Sequence, residues 1–282
     1  MIIRSPAKIN FGLWIGRKQD DGYHPISTIF LPVSLYDIVS IEKNRINEVK
    51  LICSDPSIPV DEGNICRKAA DMFYRNTGIK EGITINLIKN IPAGGGLGGG
   101  SSNAAAVLEY LSSEHPDAVS GDELMKIARD IGADVPFFLM KRPCAAKGIG
   151  EILTPVDVSF LKGRFVVLVI PEFQVCTADA YAEFDRAGNI KIEPDFEAGI
   201  NKFSSLKDAR EIFINDFEEV IFPFYPQLKD IKTALYETGA AFASMTGSGS
   251  VMYGIYDSEI AAGNAQAGLS TGYRAVPAEI IT

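Results

Sequence analysis

A run of glycine and serine from residue 94 to residue 102 is the feature that most limits what this chain can fold into. Six glycines and two serines surround a single leucine, Leu97. The run follows an alternating apolar segment typical of a strand, 83–88, and precedes a segment rich in helix formers, 103–111. Glycine lets the backbone adopt positive φ and approach a ligand, and a helix N-terminus offers unpaired N–H groups. The sequence therefore predicts a phosphate site at this turn.

Three other interpretations of the run fit its surroundings less well. Gly94, Gly96 and Gly99 have the spacing of a dinucleotide fingerprint, but residues 112–117, where a second strand with an acidic end is needed, have the composition of a loop. A Walker A loop needs Gly-Lys-Ser/Thr after the glycines, and none follows. A flexible glycine/serine linker rarely joins a strand pattern directly to a helix pattern.

The composition limits the classes of partner that the protein is expected to bind. The chain has 282 residues, 46% of them hydrophobic, which is enough for one large or two medium domains. A net charge of −9 disfavours nucleic acid or an anionic membrane as the main partner. A phosphate-bearing ligand then needs a locally basic pocket, for which the candidates are Lys8, Arg17, Lys18 and Lys89.

Cysteine, histidine and the N-terminus indicate a cytoplasmic protein. The four cysteines are widely spaced and form no C-x-x-C pair, as expected of thiols in a reducing compartment. The N-terminal residues lack a signal-peptide apolar region, and the longest apolar run, 165–170, is too short to span a bilayer. With only two histidines, histidine-based zinc sites and serine–histidine triads are poorly supported.

Periodicity along the chain predicts an α+β protein in two domains, residues 1–154 and 155–282. The weakly patterned stretch is 186–205. Strands are predicted at 2–3, 7–15, 27–35, 37–42, 48–53, 83–88, 165–170 and 251–256. Helices are predicted at 64–76, ending at Gly78, and at 103–111, 123–131, 179–184 and 226–238.

Two charged residues stand in positions suited to phosphoryl transfer, which needs a cation near the transferring group and a carboxylate near the acceptor hydroxyl. Lys8 lies in an otherwise inward-facing apolar strand, although a solvated lysine is the commoner case. Asp134 precedes Val135-Pro136 and an apolar helix, so an N-cap role is an equal alternative that is compatible with catalysis.

Two turns complete the set of candidates. Tyr23 and His24 follow the turn Asp21-Gly22 and could stack on and hydrogen-bond a flat ring, or be ordinary turn residues. A second glycine loop at 246–250 precedes a strand, which alone is a weak signal.

Together these pieces resemble the GHMP kinases, ATP-dependent small-molecule kinases with a lysine-bearing N-terminal segment, a central glycine loop and a late Thr-Gly-x-Gly loop. The motifs Ser5–Asn10, Asp21–His24, Gly132–Pro136 and Gly150–Val156 further resemble the branch that phosphorylates a cytidine diphosphate-linked polyol in the non-mevalonate isoprenoid route. The resemblance implies an N-terminal ribosomal-protein-like βα domain and a C-terminal ferredoxin-like α/β sandwich, with the active site in the cleft between them.

The same resemblance implies roles for individual residues. Lys8 would orient the hydroxyl and the γ-phosphate, and Asp134 would be the general base. ATP would be bound by Asn64, Lys89 and the loop residues Pro92, Ala93, Gly94, Gly95, Gly96, Leu97, Gly98, Gly99, Gly100, Ser101 and Ser102. The acceptor would be bound by Asn10, Tyr23, His24, Thr177, Tyr181, Thr246, Gly247, Ser248 and Gly249. Mg²⁺ would accompany ATP, with no dedicated metal ligands in the sequence.

The resemblance also implies a monomer or weak homodimer that binds neither nucleic acid nor membrane. Two other functions stay open. One is a sibling kinase acting on homoserine, mevalonate or a sugar, which the turn at Tyr23 and His24 disfavours. The other is a nucleotide-binding regulatory module without catalysis, which the joint presence of Lys8 and Asp134 disfavours.

Overall fold

The computed structural model describes residues 1–200 and 205–282, so 201–204, within the weakly patterned stretch, lie outside the described residues. The strands are β1 Ile2–Ile15, β2 Ile26–Asn44, β3 Val49–Cys53, β4 Gly82–Ile88, β5 Cys144–Lys147, β6 Ile152–Pro155, β7 Phe165–Ile170, β8 Phe242–Met245, β9 Met252–Tyr256 and β10 Arg274–Glu279. The helices are α1 Ile65–Thr77, α2 Gly99–Glu114, α3 Gly121–Ile131, α4 Val135–Met140, α5 Thr177–Ala187, α6 Phe196–Ile200, α7 Phe217–Ile221, α8 Pro226–Glu237 and α9 Glu259–Leu269.

The chain divides into two compact units whose limits do not follow the chain order. The first comprises Met1–Ala7, Leu35–Ala93 and Gly98–Lys141, and the second comprises Lys8–Ser34, Gly94–Leu97 and Arg142–Thr282. The long strands β1 and β2 therefore contribute residues to both units, as does the glycine run.

In the first unit, β3 and β4 pair in parallel through the crossover helix α1, and β4 pairs antiparallel with the second half of β2. Alternate residues of these strands, including Val39, Ile41, Ile83 and Ile85, are buried, as the alternating pattern predicts. Helix α1 packs against α2, and α2 packs against α4.

Local signals set the helix ends in this unit. Helix α1 begins after Asn64, whose Oδ1 accepts from the N–H of Cys66 at 2.9 Å, and ends at Gly78 in the left-handed conformation, as predicted. Ser120 and Glu123 form a capping box at the start of α3. Helix α2 begins at Gly99, four residues before the predicted start, so glycines and serines of the run form its first turn.

In the second unit, an antiparallel sheet has the strand order β10-β7-β9-β8, which is the order of a ferredoxin-like sandwich. Apolar residues of α8, such as Leu228 and Ile231, pack in one buried cluster with Val167, Val169 and Met252 of the sheet. The hairpin β5–β6 pairs with the first half of β2. The protein thus has the mixed α+β architecture that the sequence predicts.

Candidate active site

The glycine run forms a left-handed turn followed by a helix start. Gly94, Gly96 and Gly98 have φ of 71°, 77° and 69°, values that side-chain-bearing residues rarely adopt. Gly98 is the N-cap of α2, a helix of 16 residues with no acidic residue in its first turn. No acidic residue of that first turn offsets the unpaired N–H groups and the positive end of the helix dipole, which favours an anionic ligand.

Lys89, predicted near the nucleotide, is held by an interior network in the first unit. Its ammonium pairs with the carboxylate of Asp37 and donates to Asn103 Oδ1 at 3.1 Å. Asp37 is fully buried and also accepts from the backbone N–H groups of Asn90 and Ile91. Asn103 donates in turn to Asp37 and to Ser5 Oγ, and Ser5 shares a hydrogen bond with Ser102 at 2.6 Å.

Asn64, the other residue predicted near the nucleotide, uses its side chain for local structure. Besides capping α1, its Nδ2 donates to the carbonyl oxygen of Pro59 at 2.7 Å. The residue is only 5% exposed. Both polar atoms of this amide are thus engaged by the backbone, and they order the segment that precedes α1.

Lys8 is buried in the second unit, although a solvated lysine is the commoner case in such a strand. Its ammonium donates to Asn10 Oδ1 at 2.7 Å and lies 4.7 Å from the centroid of the Phe30 ring. Its backbone N–H donates to the carbonyl oxygen of Leu97 at 2.9 Å, which joins strand β1 to the glycine run. A buried ammonium fixed by an amide oxygen is a preorganised cation.

Asn10 organises the surroundings of Lys8. Its Nδ2 donates to Thr28 Oγ1 at 3.0 Å, its carbonyl oxygen accepts from the Tyr253 hydroxyl at 2.7 Å, and its N–H donates to Thr246 Oγ1 at 3.1 Å. Asn10 is 2% exposed. Asn10 is predicted to contact the acceptor. Most of its polar atoms already hold Lys8 and the second glycine loop in place.

The second glycine loop contacts the first within this unit. Thr246 Oγ1 donates to the carbonyl oxygen of Gly96 at 3.1 Å, and a Cβ atom on Gly96 would lie 2.2 Å from the carbonyl oxygen of Thr246. Asn215, which is buried, donates through Nδ2 to the carbonyl oxygens of Met245 and Gly247. The loop is thus held from both sides.

The predicted ring-binding residues lie together in the second unit. His24 is buried, with Nδ1 2.9 Å from the carbonyl oxygen of Gly16, and its ring stacks on that of Tyr181 at 4.9 Å between centroids. Its Nε2 is buried, lies 3.4 Å from Asp185 Oδ1 and has no hydrogen-bond partner among the described residues. A buried ring nitrogen without a hydrogen bond is a natural contact for a polar ligand.

Tyr23 and Thr177 differ in their surroundings. Tyr23 is 59% exposed, which leaves its ring accessible to a ligand. Thr177, the first residue of α5, shares a hydrogen bond of 2.9 Å with Ser248 of the second glycine loop. Gly247 and Gly249 of that loop both have positive φ, of 57° and 92°.

Asp134 lies in the first unit, directly before α4, in the N-cap position that the sequence predicts. Its backbone is in the helical region, with φ −82° and ψ −14°, and its side chain makes no capping hydrogen bond. A capping role therefore does not account for the carboxylate.

Asp37 and Asn215 were not among the predicted site residues. Asp37 shares the inward face of β2 with Val39 and Ile41, and an aspartate in a buried register is a signal of a buried partner. Asn215 follows the weakly patterned stretch, where no periodicity marks it as buried.

The described residues contain neither a metal-binding cluster nor a membrane-spanning helix. Within 1–200 and 205–282, no group of three or more His, Cys, Asp or Glu is arranged to hold a metal ion. No helix in the same part of the chain combines the length and the apolar character needed to cross a membrane.

Comparisons with known proteins agree with this architecture. The model of the GHMP kinases N terminal domain matches residues 64–142, and that of the GHMP kinases C terminal matches 196–275. A 4-diphosphocytidyl-2-C-methyl-D-erythritol kinase from Chlorobium phaeovibrioides is 40% identical over 93% of this chain and 89% of its own. One of the same name from Chlorobaculum tepidum is 39% identical over 96% of this chain and 94% of its own.

A solved structure supports the same relationship. The crystal structure of a 4-(cytidine 5'-diphospho)-2C-methyl-D-erythritol kinase covers 100% of both chains with a TM-score of 0.85 and 31% identity. The chain therefore belongs to the GHMP kinase family, and within it to the group of its 4-diphosphocytidyl-2-C-methyl-D-erythritol kinase relatives.

Proposed function

We propose that this protein transfers the γ-phosphoryl group of ATP to the 2-hydroxyl of 4-diphosphocytidyl-2-C-methyl-D-erythritol, giving the 2-phosphate and ADP. The reaction belongs to the methylerythritol phosphate route to isopentenyl diphosphate. The names of relatives that are about 40% identical over nearly the whole chain support the substrate.

One observation carries the proposal. The lysine-bearing strand, the first glycine loop and the second glycine loop meet at Thr246, which hydrogen-bonds both Asn10 and Gly96. Three segments that are far apart in sequence thus meet at Thr246 and Asn10, and Asn10 Oδ1 accepts from the buried ammonium of Lys8. A fixed cation beside a phosphate loop is what phosphoryl transfer needs, because catalysis depends on positioning and on stabilising charge.

Asp134 and Lys8 are proposed to divide the chemistry. Asp134 would accept the proton of the acceptor hydroxyl as general base. Lys8 would orient that hydroxyl and the γ-phosphate and offset the negative charge that develops on the transferring group. The hydrogen bond from the Lys8 ammonium to Asn10 supports this role, because it fixes the position of the ammonium before the substrates bind.

Residues 92–102 are proposed to bind the ATP phosphates through backbone N–H groups, with Asn64 and Lys89 near the base or sugar. The positive φ of Gly94, Gly96 and Gly98 supports a cradle for anions. Mg²⁺ would enter with the nucleotide, since it is commonly held by substrate phosphates and few protein groups, and it would neutralise phosphate charge.

The cytidine ring is proposed to bind at Tyr23, His24 and Tyr181, with Thr177 nearby and Thr246–Gly249 closing over the acceptor. The buried Nε2 of His24, which has no hydrogen-bond partner among the described residues, supports a hydrogen bond to the ring. Because the Tyr181 ring stacks on His24 in this structure, cytidine binding would move Tyr181 or use its outer face.

We also propose a domain boundary near residue 154, as the sequence predicts. Residues 1–154 would form the ATP-binding N-terminal domain and 155–282 the C-terminal domain, and the two matched family regions fall on either side of it. The protein is proposed to act in the cytoplasm as a monomer or weak homodimer.

A coupled ADP-release assay tests the proposal. The purified protein is given ATP, Mg²⁺ and one of three acceptors: 4-diphosphocytidyl-2-C-methyl-D-erythritol, homoserine or mevalonate. Turnover with the cytidine compound alone is the expected result. Turnover with another acceptor instead would keep the kinase and refute the substrate, and a folded, ATP-binding protein without turnover would refute the proposal.

A further inference from the structure

We infer that Asp37 is the positioning residue of the phosphate loop, holding both the chain that enters the loop and the helix that leaves it. The inference rests on the proposed function only in that the loop binds ATP. Asp37 contacts no substrate in this scheme and acts through the backbone of residues 90–91 and through Asn103.

Asp37 holds the segment that enters the loop. Asp37 is fully buried on β2, and its Oδ1 accepts from the N–H of Asn90 at 2.7 Å and from that of Ile91 at 2.8 Å. These two residues directly precede Pro92, where the proposed phosphate-binding segment starts. One carboxylate oxygen therefore fixes the direction in which the chain leaves β4.

Asp37 also holds the helix that follows the loop. Asp37 Oδ2 accepts from Asn103 Nδ2 at 3.0 Å, and Asn103 lies in the second turn of α2. Asn103 Nδ2 also donates to Ser5 Oγ at 3.1 Å, and Ser5 shares a hydrogen bond with Ser102. The same carboxylate thus fixes the helix whose first N–H groups are proposed to bind phosphate.

Packing between the two ends adds to this link. A Cβ atom on Gly99 would lie 2.9 Å from Ile91 Cγ2 and 3.2 Å from the Lys89 ammonium nitrogen. The entry segment therefore lies against the first residue of α2 with no room for a side chain. A shift of Ile91 or Lys89 would be passed directly to the helix start.

The balance of charge explains why Lys89 is part of the network around Asp37. The side chains of Lys89 and Asp37 are 6% and 0% exposed, so each charge compensates the other in a buried setting. Two of the three ammonium hydrogens of Lys89 are directed at Asp37 and Asn103. Its charge is therefore largely balanced, and phosphate attraction falls to correctly placed N–H groups.

The placement of the loop affects ATP binding because glycine is costly to order. Glycine loses more conformational freedom on ordering than any other residue, and a ligand that must order its own loop binds more weakly. Fixing both ends of the run before ATP arrives lowers that cost. The hydrogen bonds of the single Asp37 carboxylate reach both ends.

The test is Asp37→Asn, which keeps the shape and one acceptor oxygen but turns an amide donor toward Lys89 and Asn103. Binding is measured by calorimetry without acceptor, using a non-hydrolysable ATP analogue and, separately, adenosine. We expect the dissociation constant of the ATP analogue to rise about tenfold or more and that of adenosine to rise by a clearly smaller factor.

Asp216→Asn is the matched control. Asp216 is also buried, is paired with Lys191, and accepts from the backbone N–H of Ile15 at 3.0 Å. Its substitution should lower the thermal midpoint comparably but leave binding of the ATP analogue within about twofold of the parent. The comparison separates loop positioning from a general loss of stability.

If Asp37→Asn does not fold, Asn103→Ala tests the inference instead. This variant keeps the Asp37–Lys89 pair and removes the link from Asp37 to α2. A rise of about threefold to tenfold in the dissociation constant of the ATP analogue, with a clearly smaller rise for adenosine, is expected. An equal loss for adenosine and the ATP analogue, or no loss in a folded variant, would overturn the inference. Because no acceptor is present, failure to phosphorylate the cytidine compound would refute only the proposed function.

Discussion

The contact between Gly96 and Thr246 gives the sharpest prediction. In Gly96→Ala, the new Cβ would lie 2.2 Å from the Thr246 carbonyl oxygen, about 0.8 Å inside the 3.0 Å limit that real Cβ atoms respect. Both positions are backbone, so one of the two glycine loops must move. A misplacement of about 1 Å near reacting groups can lower turnover about 100-fold, so we expect kcat/KM to fall by about that factor.

The substitution has a second cost that a control can remove. Gly96 has φ of +77°, and alanine in that region is less stable by about 1–2 kcal/mol. Gly78 has φ of +73° with nothing within 4 Å of its Cβ position, so Gly78→Ala carries the backbone cost alone. It should lower the thermal midpoint by about 2–4 °C per kcal/mol while activity stays within about twofold.

The assay compares both variants with the parent in steady-state kinetics and thermal unfolding. Gly96→Ala should lose activity far beyond what its change in stability explains, because the displaced carbonyl belongs to the second loop. If the two variants lost the same stability and the same activity, the argument from steric contact between the loops would be refuted.

Three further predictions follow from the candidate site and the core. Asp134→Asn should bind ATP nearly as the parent does and turn over about 10²–10⁴-fold more slowly in single-turnover assays; full turnover would remove it as general base. Tyr23→Ala should raise KM for the cytidine acceptor about threefold to tenfold more than KM for ATP; equal changes would argue against stacking. Burial raises the pKa of the Cys66 thiol from 9.0 to about 12. The folded state therefore holds this proton more tightly between those values, and stability should fall with rising pH there by up to about 1.4 kcal/mol per pH unit. Urea unfolding of Cys66→Ala at pH 8 and 10 should show a flatter pH dependence, and an unchanged slope would contradict this assignment.

Much of the architecture could be predicted from sequence because its signals are local. The alternation in 83–88, the glycine at position 78 and the aspartate before Val135-Pro136 each specify a structure within a few residues. The burial of Lys8 could not be predicted in this way, because the alternation of Ala7, Ile9 and Phe11 places Lys8 on the opposite face of the strand, where a solvated lysine is the commoner case.

What could not be predicted depends on distant partners. The start of α2 at Gly99 contradicts local propensity, since glycine is a poor helix former, and the surrounding network holds that turn in place. Helix α9 was missed because alanine and glycine dominate its sequence and weaken its periodicity. The partners of Asp37 lie more than 50 positions along the chain, so a strand pattern cannot identify them.

The hydrogen bonds between Asn10 and Thr246 have a consequence for how the protein is made. The two residues are 236 positions apart, so the hydrogen bonds that fix Asn10, the partner of Lys8, cannot form until nearly the whole chain has been synthesised. At about 5–20 residues per second, the ribosome needs roughly 10–50 s to make that intervening length. A chain cut short before Thr246 would carry the lysine without the threonine that fixes its partner. Activity is thus expected to arise late, as one of the last properties a newly made molecule acquires.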